Sequence, residues 1–183
     1  MKGLFDKYRS VVRFVVLFLG TYLLLSLAYA GYLSLSKHGS HPPDFITNLV
    51  AKQSSAVIQG FGYEAEVVAH ESRPTMKLFV NGRYLAQIIE GCNAISITIL
   101  FIAFVLAFGR KWRKTLIYLL AGSVLIYAVN ILRIAVLAMS LYHYPQHKEV
   151  LHGAVFPGII YGMVFLLWVI WVRSVTPRPV SDE

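Results

Sequence analysis

The sequence predicts an all-α polytopic membrane protein with four transmembrane helices, both termini in the cytoplasm, and a small α+β extracytoplasmic segment between the first two helices. Three observations predict this fold class: the composition, four long apolar runs and the placement of the basic residues. Hydrophobic residues make up 57% of the 183 residues and charged residues 14%, with a mean hydropathy of +0.61. In a soluble domain about a quarter of the residues are charged. We therefore expect a single membrane domain over residues 1–183.

Four apolar runs are long enough to cross a bilayer as helices: residues 14–35, 91–109, 115–142 and 153–172. A helix of about 20 residues spans the hydrocarbon layer, which is roughly 30 Å thick. The first run also resembles a cleavable signal peptide, because basic residues precede it and it contains the small-residue stretch Ala28–Gly31. The run continues to Leu35, beyond a typical signal-peptide core, and this favours a retained helix.

The basic residues flank the predicted helices unevenly, and this predicts the orientation. Those before the first run, between the second and third, and after the fourth are Lys2, Lys7, Arg9, Arg13, Arg110, Lys111, Arg113, Lys114, Arg173 and Arg178. The other two connecting segments, 36–90 and 143–152, each contain equal numbers of basic and acidic residues. Because positively charged flanks stay in the cytoplasm, both termini are expected there. The net charge of +8 then reflects topology, and no nucleic-acid partner is expected.

The predicted extracytoplasmic insert, residues 36–90, contains signals for a helix and a β-hairpin. Pro42-Pro43-Asp44 is typical of a helix start, and the apolar residues that follow keep helical spacing up to Gly60. In "MKLFVNGRYLAQII", Asn81-Gly82 suits a two-residue turn that needs positive φ at both positions. The second strand leads into Glu90-Gly91-Cys92. The hairpin would either position the thiol, guide a substrate, or be a cap with no further role.

Three polar residues are predicted to converge on the outer half of the membrane. Cys92, the single cysteine, lies at the outer end of the second span, and His152 begins the fourth. Arg133 interrupts the third span roughly 13 Å below its outer end, at 1.5 Å per residue. Each also has a structural interpretation: a buried apolar cysteine, a histidine in a connecting segment, or an arginine paired with Asn130 or Glu90.

Together the three residues suit acyl transfer through a thioester. A nearby cation favours the thiolate, a histidine can accept the thiol proton and return it to a leaving amine, and a buried guanidinium stabilises an oxyanion. An arginine within a span costs about 2.5–3.5 kcal/mol on insertion scales, so its default interpretation is functional. Cys92, Arg133 and His152 are therefore the candidate catalytic residues. Asn130, Asn93 and Glu90 are candidate supporting residues, with plain packing an equal alternative for both asparagines.

Other motifs are weaker. Gly158 and Gly162 have the four-residue spacing of a helix-packing motif, and Pro157 would either begin the fourth helix or kink it. His143, His147 and His152 do not share a helical face across Pro145. We expect no metal site and no other cofactor.

At these residues the sequence resembles the exosortase/archaeosortase family, in particular its compact exosortase F type. The family pattern is a cysteine in a short motif at the outer end of a span, then N-x-x-R in the next span, then a histidine opening the one after. The matching stretches are "GCNA" at Cys92, "NILR" at Asn130–Arg133 and "HGAVFPGIIYG" from His152. Ala94 stands where the family commonly has glycine, and many members have about twice as many spans.

The resemblance implies a membrane cysteine peptidase or transpeptidase in a bacterial inner (plasma) membrane, with its active site facing the periplasm or exterior. Its substrates would be exported proteins that carry a C-terminal motif, a transmembrane helix and a basic tail. A small associated membrane protein would be a further partner beside the lipid bilayer. Two other functions stay open from the residues alone: a non-catalytic membrane subunit of an export or envelope-assembly complex, and a thiol-dependent lipid acyltransferase.

Overall fold

The computed structural model describes residues 2–36, 43–109 and 111–175. Pro42, Arg110 and Arg178, to which some of the predictions refer, lie outside these residues. The described helices are α1 (Lys2–Ser36), α2 (Phe45–Gly60), α3 (Ile95–Phe108), α4 (Trp112–His143), the single turn α5 (Lys148–Val150) and α6 (Phe156–Val175). A three-stranded sheet contains β1 (Ala65–Ala69), β2 (Met76–Val80) and β3 (Arg83–Ile88). The protein is thus mostly helical with one small sheet.

Three helical segments are long and apolar enough to cross a membrane: Tyr8–Ser36, Trp112–His143 and Pro145–Val175. The predicted span 91–109 is occupied by α3, which has only 14 residues and therefore rises about 21 Å. It is shorter than the apolar run because Glu90–Cys92 form a 3₁₀ turn and Ala94 adopts a left-handed conformation. The count of four spans and the cytoplasmic termini stay predictions.

The helix α3 packs against three other helices. Its phenylalanines meet α1, where the rings of Phe14 and Phe108 lie 4.4 Å apart, and α6, where Phe104 stacks on Trp168 at 4.4 Å. On the α4 side Phe101 is fully buried, and a Cβ added to Gly122 would come within 2.2 Å of its ring. This glycine is what allows the two helices to approach so closely.

The helix α2 begins where the sequence predicted. The side chain of Asp44 accepts hydrogen bonds from the backbone N–H groups of Ile46 (3.0 Å) and Thr47 (3.1 Å), so it caps the helix. One face of α2, including Val50 and Ile58, is fully buried in a core shared with the sheet and α4. The helix therefore connects the sheet to the membrane helices.

The predicted hairpin is confirmed: β2 and β3 pair antiparallel around Asn81 (φ 48°) and Gly82 (φ 72°). Leu85 is an extra residue in β3, a bulge between the pairs Phe79–Tyr84 and Leu78–Ala86. The strand β1, which the sequence did not predict, pairs with β2 on its other side. The sheet therefore has two edges, β1 and β3.

Candidate active site

The three predicted catalytic residues come from three different elements. The strand β3 leads into the 3₁₀ turn Glu90–Cys92, which closes with a hydrogen bond from the backbone N–H of Cys92 to the carbonyl of Ile89 (2.8 Å). Arg133 belongs to α4, and His152 to a π-helical turn, Leu151–Val155, that precedes α6. All three line one cavity of about 250 Å³.

The walls of this cavity are β3, α4 and the turns before α6. The lining residues are Tyr84, Leu85, Ala86, Gln87, Ile88, Cys92, Arg133, Ile134, Leu137, Leu141, Lys148 and His152. Its charged side chains are all basic, and no aspartate or glutamate lines it. A positive, partly apolar cavity of this kind favours a thiolate over a thiol.

Cys92 is a free, half-buried cysteine. Its backbone carbonyl accepts a hydrogen bond from Nδ2 of Asn130 (2.7 Å), which ties the turn to α4. Two residues later Ala94 has φ +62°, in the left-handed region that favours glycine. This conformation gives a physical reason for the glycine that the family commonly has there, because the chain must turn sharply from the thiol into α3.

Asn130 connects Cys92 to Arg133. Its side chain is fully buried, donates to the carbonyl of Cys92 and accepts from Nη1 of Arg133 (3.3 Å). The Nε atom of Arg133 is buried and has no hydrogen-bond partner. Since a buried guanidinium N–H without a partner is costly, Arg133 has donor capacity left for a ligand in the cavity.

His152 is exposed at the mouth of the cavity, on a helix that is continuous from Pro145 to Val175. Pro157, at the second residue of α6, has no N–H to donate to the carbonyl of Gly153. The π turn lies immediately before it, and such turns are frequent at functional sites. Pro157 thus accompanies a local change of helical winding next to His152.

The other supporting candidates have different surroundings. Nδ2 of Asn93 donates to the hydroxyls of Tyr29 (2.7 Å) and Thr47 (3.0 Å), and its Oδ1 accepts from the N–H of Ile95 (3.0 Å). Asn93 therefore joins α1, α2 and α3 and does not line the cavity. Glu90 is absent from the lining too, and Arg133 makes its hydrogen bond to Asn130 instead.

Lys148 is a cavity residue that the sequence analysis missed. It lies four residues before His152, which is one helical turn, and that spacing was the available signal. Within the three described ranges, no group of three histidine, cysteine, aspartate or glutamate side chains is placed to hold a metal ion. His143 is instead in hydrogen-bond contact with the hydroxyl of Tyr63 (2.9 Å to Nε2).

Comparison with known proteins places this site in a family. A family model described as transmembrane exosortase (Exosortase_EpsH) matches residues 9–172, a stretch that includes Cys92, Arg133 and His152. Neither curated proteins nor solved structures give a significant match. Because the family model covers most of the chain, this membrane protein belongs to the transmembrane exosortase family.

Proposed function

We propose that this exosortase is a cysteine peptidase or transpeptidase that cuts exported proteins next to the membrane through a thioester intermediate. The observation that supports this most directly is the single cavity lined by Cys92, Arg133 and His152. Membership of the exosortase family supports the same class of reaction. The proposal includes a role for each of the three residues and for Asn130.

Cys92 would act as the nucleophile. Arg133 and Lys148 supply positive charge to its cavity, and His152 would accept the thiol proton. Positive neighbours lower the pKa of a thiol and so raise the thiolate fraction at neutral pH. Asn130 would act as a positioning residue, since it holds both the backbone of Cys92 and the guanidinium of Arg133.

In the first half of the reaction, the thiolate sulfur attacks the carbonyl carbon of the scissile peptide and a C–S bond forms. The carbonyl electron pair moves to oxygen, where the free guanidinium N–H groups of Arg133 would stabilise the negative charge. The C–N bond then breaks, and the His152 imidazolium gives its proton to the leaving amine. Water or an amine next attacks the thioester, which releases the acyl group and regenerates the thiol.

The substrates would be exported proteins whose C-terminal region consists of a short motif, a transmembrane helix and a basic tail. The cavity lies between the sheet and the end of α4, where the membrane helix of such a substrate would emerge. This places the site on the periplasmic or exterior side of a bacterial plasma membrane. A small membrane protein that binds this compact chain would complete the assembly.

The test is a comparison of cells that express the wild-type protein, Cys92→Ala, or the control Ser96→Ala, a change at an exposed residue one turn along α3. Mass spectrometry of the C-terminal peptides of exported proteins is the readout. We expect proteins with a C-terminal helix and basic tail to keep this segment only in Cys92→Ala cells. Unchanged processing would overturn the proposal and favour a non-catalytic subunit.

The intermediate provides a second test. In His152→Ala the thioester should hydrolyse slowly enough to be captured, because the base that activates the acceptor is missing. We expect the mass of the Cys92-containing peptide to increase by that of a peptide acyl group. A fatty acyl adduct would instead show that the protein is a lipid acyltransferase.

A further inference from the structure

The two edges of the sheet are covered differently. At the β1 edge, the carbonyl of Ala65 accepts hydrogen bonds from Oγ of Ser55 (2.9 Å) and Nε2 of Gln59 (2.7 Å), both on α2. In the part of the chain that the structure describes, the backbone of β3 makes hydrogen bonds only within its ladder with β2. Uncovered edges are a liability that folded proteins normally remove.

The open edge of β3 borders the cavity that contains Cys92. Five consecutive residues, 84–88, line this cavity. Side chains of a strand alternate between the two faces of the sheet, so a cavity on one face would be lined by every second residue. A run of consecutive lining residues shows that the cavity follows the strand along its edge.

The hairpin geometry fixes which backbone groups point outward. In a two-residue hairpin, the residues that flank the turn, Val80 and Arg83, exchange hydrogen bonds with each other. The next pair, Phe79 and Tyr84, is then not hydrogen-bonded, so the N–H and C=O of Tyr84 point away from β2. Beyond the bulge, the ladder continues from Ala86 to Ile88, where alternate residues again direct these groups outward.

We propose that the open edge of β3 binds the extended backbone of the substrate polypeptide as an added strand, which brings the scissile peptide bond to Cys92. This inference rests on the proposed function. The outward N–H and C=O groups complement another peptide backbone, whereas a lipid chain would leave them unpaired. The 3₁₀ turn folds back on Ile89 directly after β3, so a peptide paired with the strand passes the thiol at its end.

The added strand assigns a role to the hairpin. Recognition through the main chain tolerates many side chains, and alternate side chains of the peptide would face the β3–α4 cavity and solvent. The bulge at Leu85 bends the strand and leaves Ala86–Ile88 as the regular stretch nearest the thiol. The cleaved bond would thus be selected by its distance along β3 as well as by side-chain contacts.

Because Cys92 is the single cysteine, disulfide tethering to the full-length protein in detergent tests this directly. The first probe is an alternating valine–threonine pentapeptide that ends in a cysteamine thiopyridyl disulfide. The second is the same peptide with N-methyl groups on alternate amides, which cannot pair as a strand. Methyl methanethiosulfonate, the third, reports whether the thiol is accessible at all.

We expect the unmethylated peptide to form its disulfide with Cys92 about tenfold faster than the methylated one, the factor for a hydrogen bond of typical net strength. Hydrogen exchange at the outward amides of β3 should also slow about tenfold, only in the unmethylated adduct. Tyr84→Pro, which removes one outward N–H, should lose this preference, whereas Tyr84→Val should retain it. Melting curves of both variants check that they fold.

The outcomes separate this proposal from the proposed function. If methyl methanethiosulfonate modifies Cys92 but both peptides react equally and β3 gains no protection, edge pairing is wrong while the thiol chemistry stands. If no reagent reaches Cys92, the thiol is inaccessible, and both proposals are overturned.

Discussion

The guanidinium of Arg133 has one hydrogen-bonded end and one free donor. Nη1 donates to Asn130, while the buried Nε has no partner. Lysine in its place would keep the charge but lose the planar fork that can serve Asn130 and an oxyanion together. We expect Arg133→Lys to lower the rate of processing about 10²- to 10³-fold, as loss of an oxyanion donor does.

The measurement for Arg133→Lys is kcat on a processed substrate, with Lys148→Arg as the control that keeps charge on another cavity residue. The control should retain most of the activity, because Lys148 is exposed and makes no such pair of contacts. A near-normal rate for Arg133→Lys would show that Arg133 acts only as a source of positive charge.

The backbone at Ala94 predicts a difference between two substitutions. Its φ of +62° is compatible with glycine and strained for residues with a Cβ, most of all for β-branched ones. We expect Ala94→Val to lower the free energy of unfolding by about 1–2 kcal/mol, beyond any overpacking at this buried position. Ala94→Gly should unfold close to the wild-type temperature, and thermal unfolding in detergent compares them. A valine variant as stable as the glycine variant would contradict this account of the turn.

The two asparagines near Cys92 should fail in different ways. Asn93→Ala leaves Tyr29, Thr47 and the N–H of Ile95 without a partner, and each unsatisfied buried group costs about 1–3 kcal/mol. Asn130→Ala releases Cys92 and Arg133. We expect Asn93→Ala to lower the unfolding temperature with a small change in kcat, and Asn130→Ala to lower kcat at least as much as stability. The reverse pattern would exchange the structural and positioning roles.

Among the helices, the contact between α3 and α4 depends on one glycine. A Cβ at Gly122 would overlap the Phe101 ring, whereas a Cβ at Gly158 on α6 would meet nothing within 4 Å. We expect Gly122→Ala to destabilise by about 1–3 kcal/mol, the usual cost of overpacking, and Gly158→Ala to be neutral or slightly stabilising. Unfolding of both variants, and of Gly122→Ala combined with Phe101→Leu, provides the measurement. Equal stability of the two alanine variants would show that the helices move apart without cost.

At the scale of elements, the sequence predicts what depends on local chemistry. Asp44 as a cap and Asn81-Gly82 as a turn are short-range signals, and the structure confirms α2 and the hairpin around them. The strand β1 was not predicted because its burial does not alternate along "AEVVA", and its pairing with β2 is a tertiary contact. The same limit applies to the apolar run 91–109, whose first residues were included in a helix because their turn geometry leaves no hydropathy signal.

At the scale of the molecule, chain order and helix length bring Cys92, Arg133 and His152 within reach of one cavity, and this could be inferred from sequence. The direction of individual side chains could not. Asn93 faces α1 and α2, Glu90 lies off the cavity lining, and Lys148 contributes to it. The open edge of β3 was also invisible, because edge status depends on which strands lack a neighbour.

The topology of the whole chain follows from the same cavity, although α3 is short. Cys92 and the end of α4 (Leu137 and Leu141) line the cavity together, so α4 must begin at the far end of the bundle. The helix α3 must therefore carry the chain from Cys92 to Lys111 across most of the membrane thickness. If α3 instead turned back, Lys111 and the outer sheet would lie on the same side.

Single cysteines in a Cys92→Ala background test this with a membrane-impermeant maleimide on intact cells. We expect Glu64→Cys, at an exposed residue before β1, to react without permeabilisation, since the sheet faces outward. Lys111→Cys and Ser174→Cys, both at exposed residues, should react only after permeabilisation, because basic flanks stay in the cytoplasm. Modification of Lys111→Cys in intact cells would show that α3 does not cross. Chains with reactive Glu64→Cys and protected Lys111→Cys have α3 as a short but complete span, with Cys92 at its outer end.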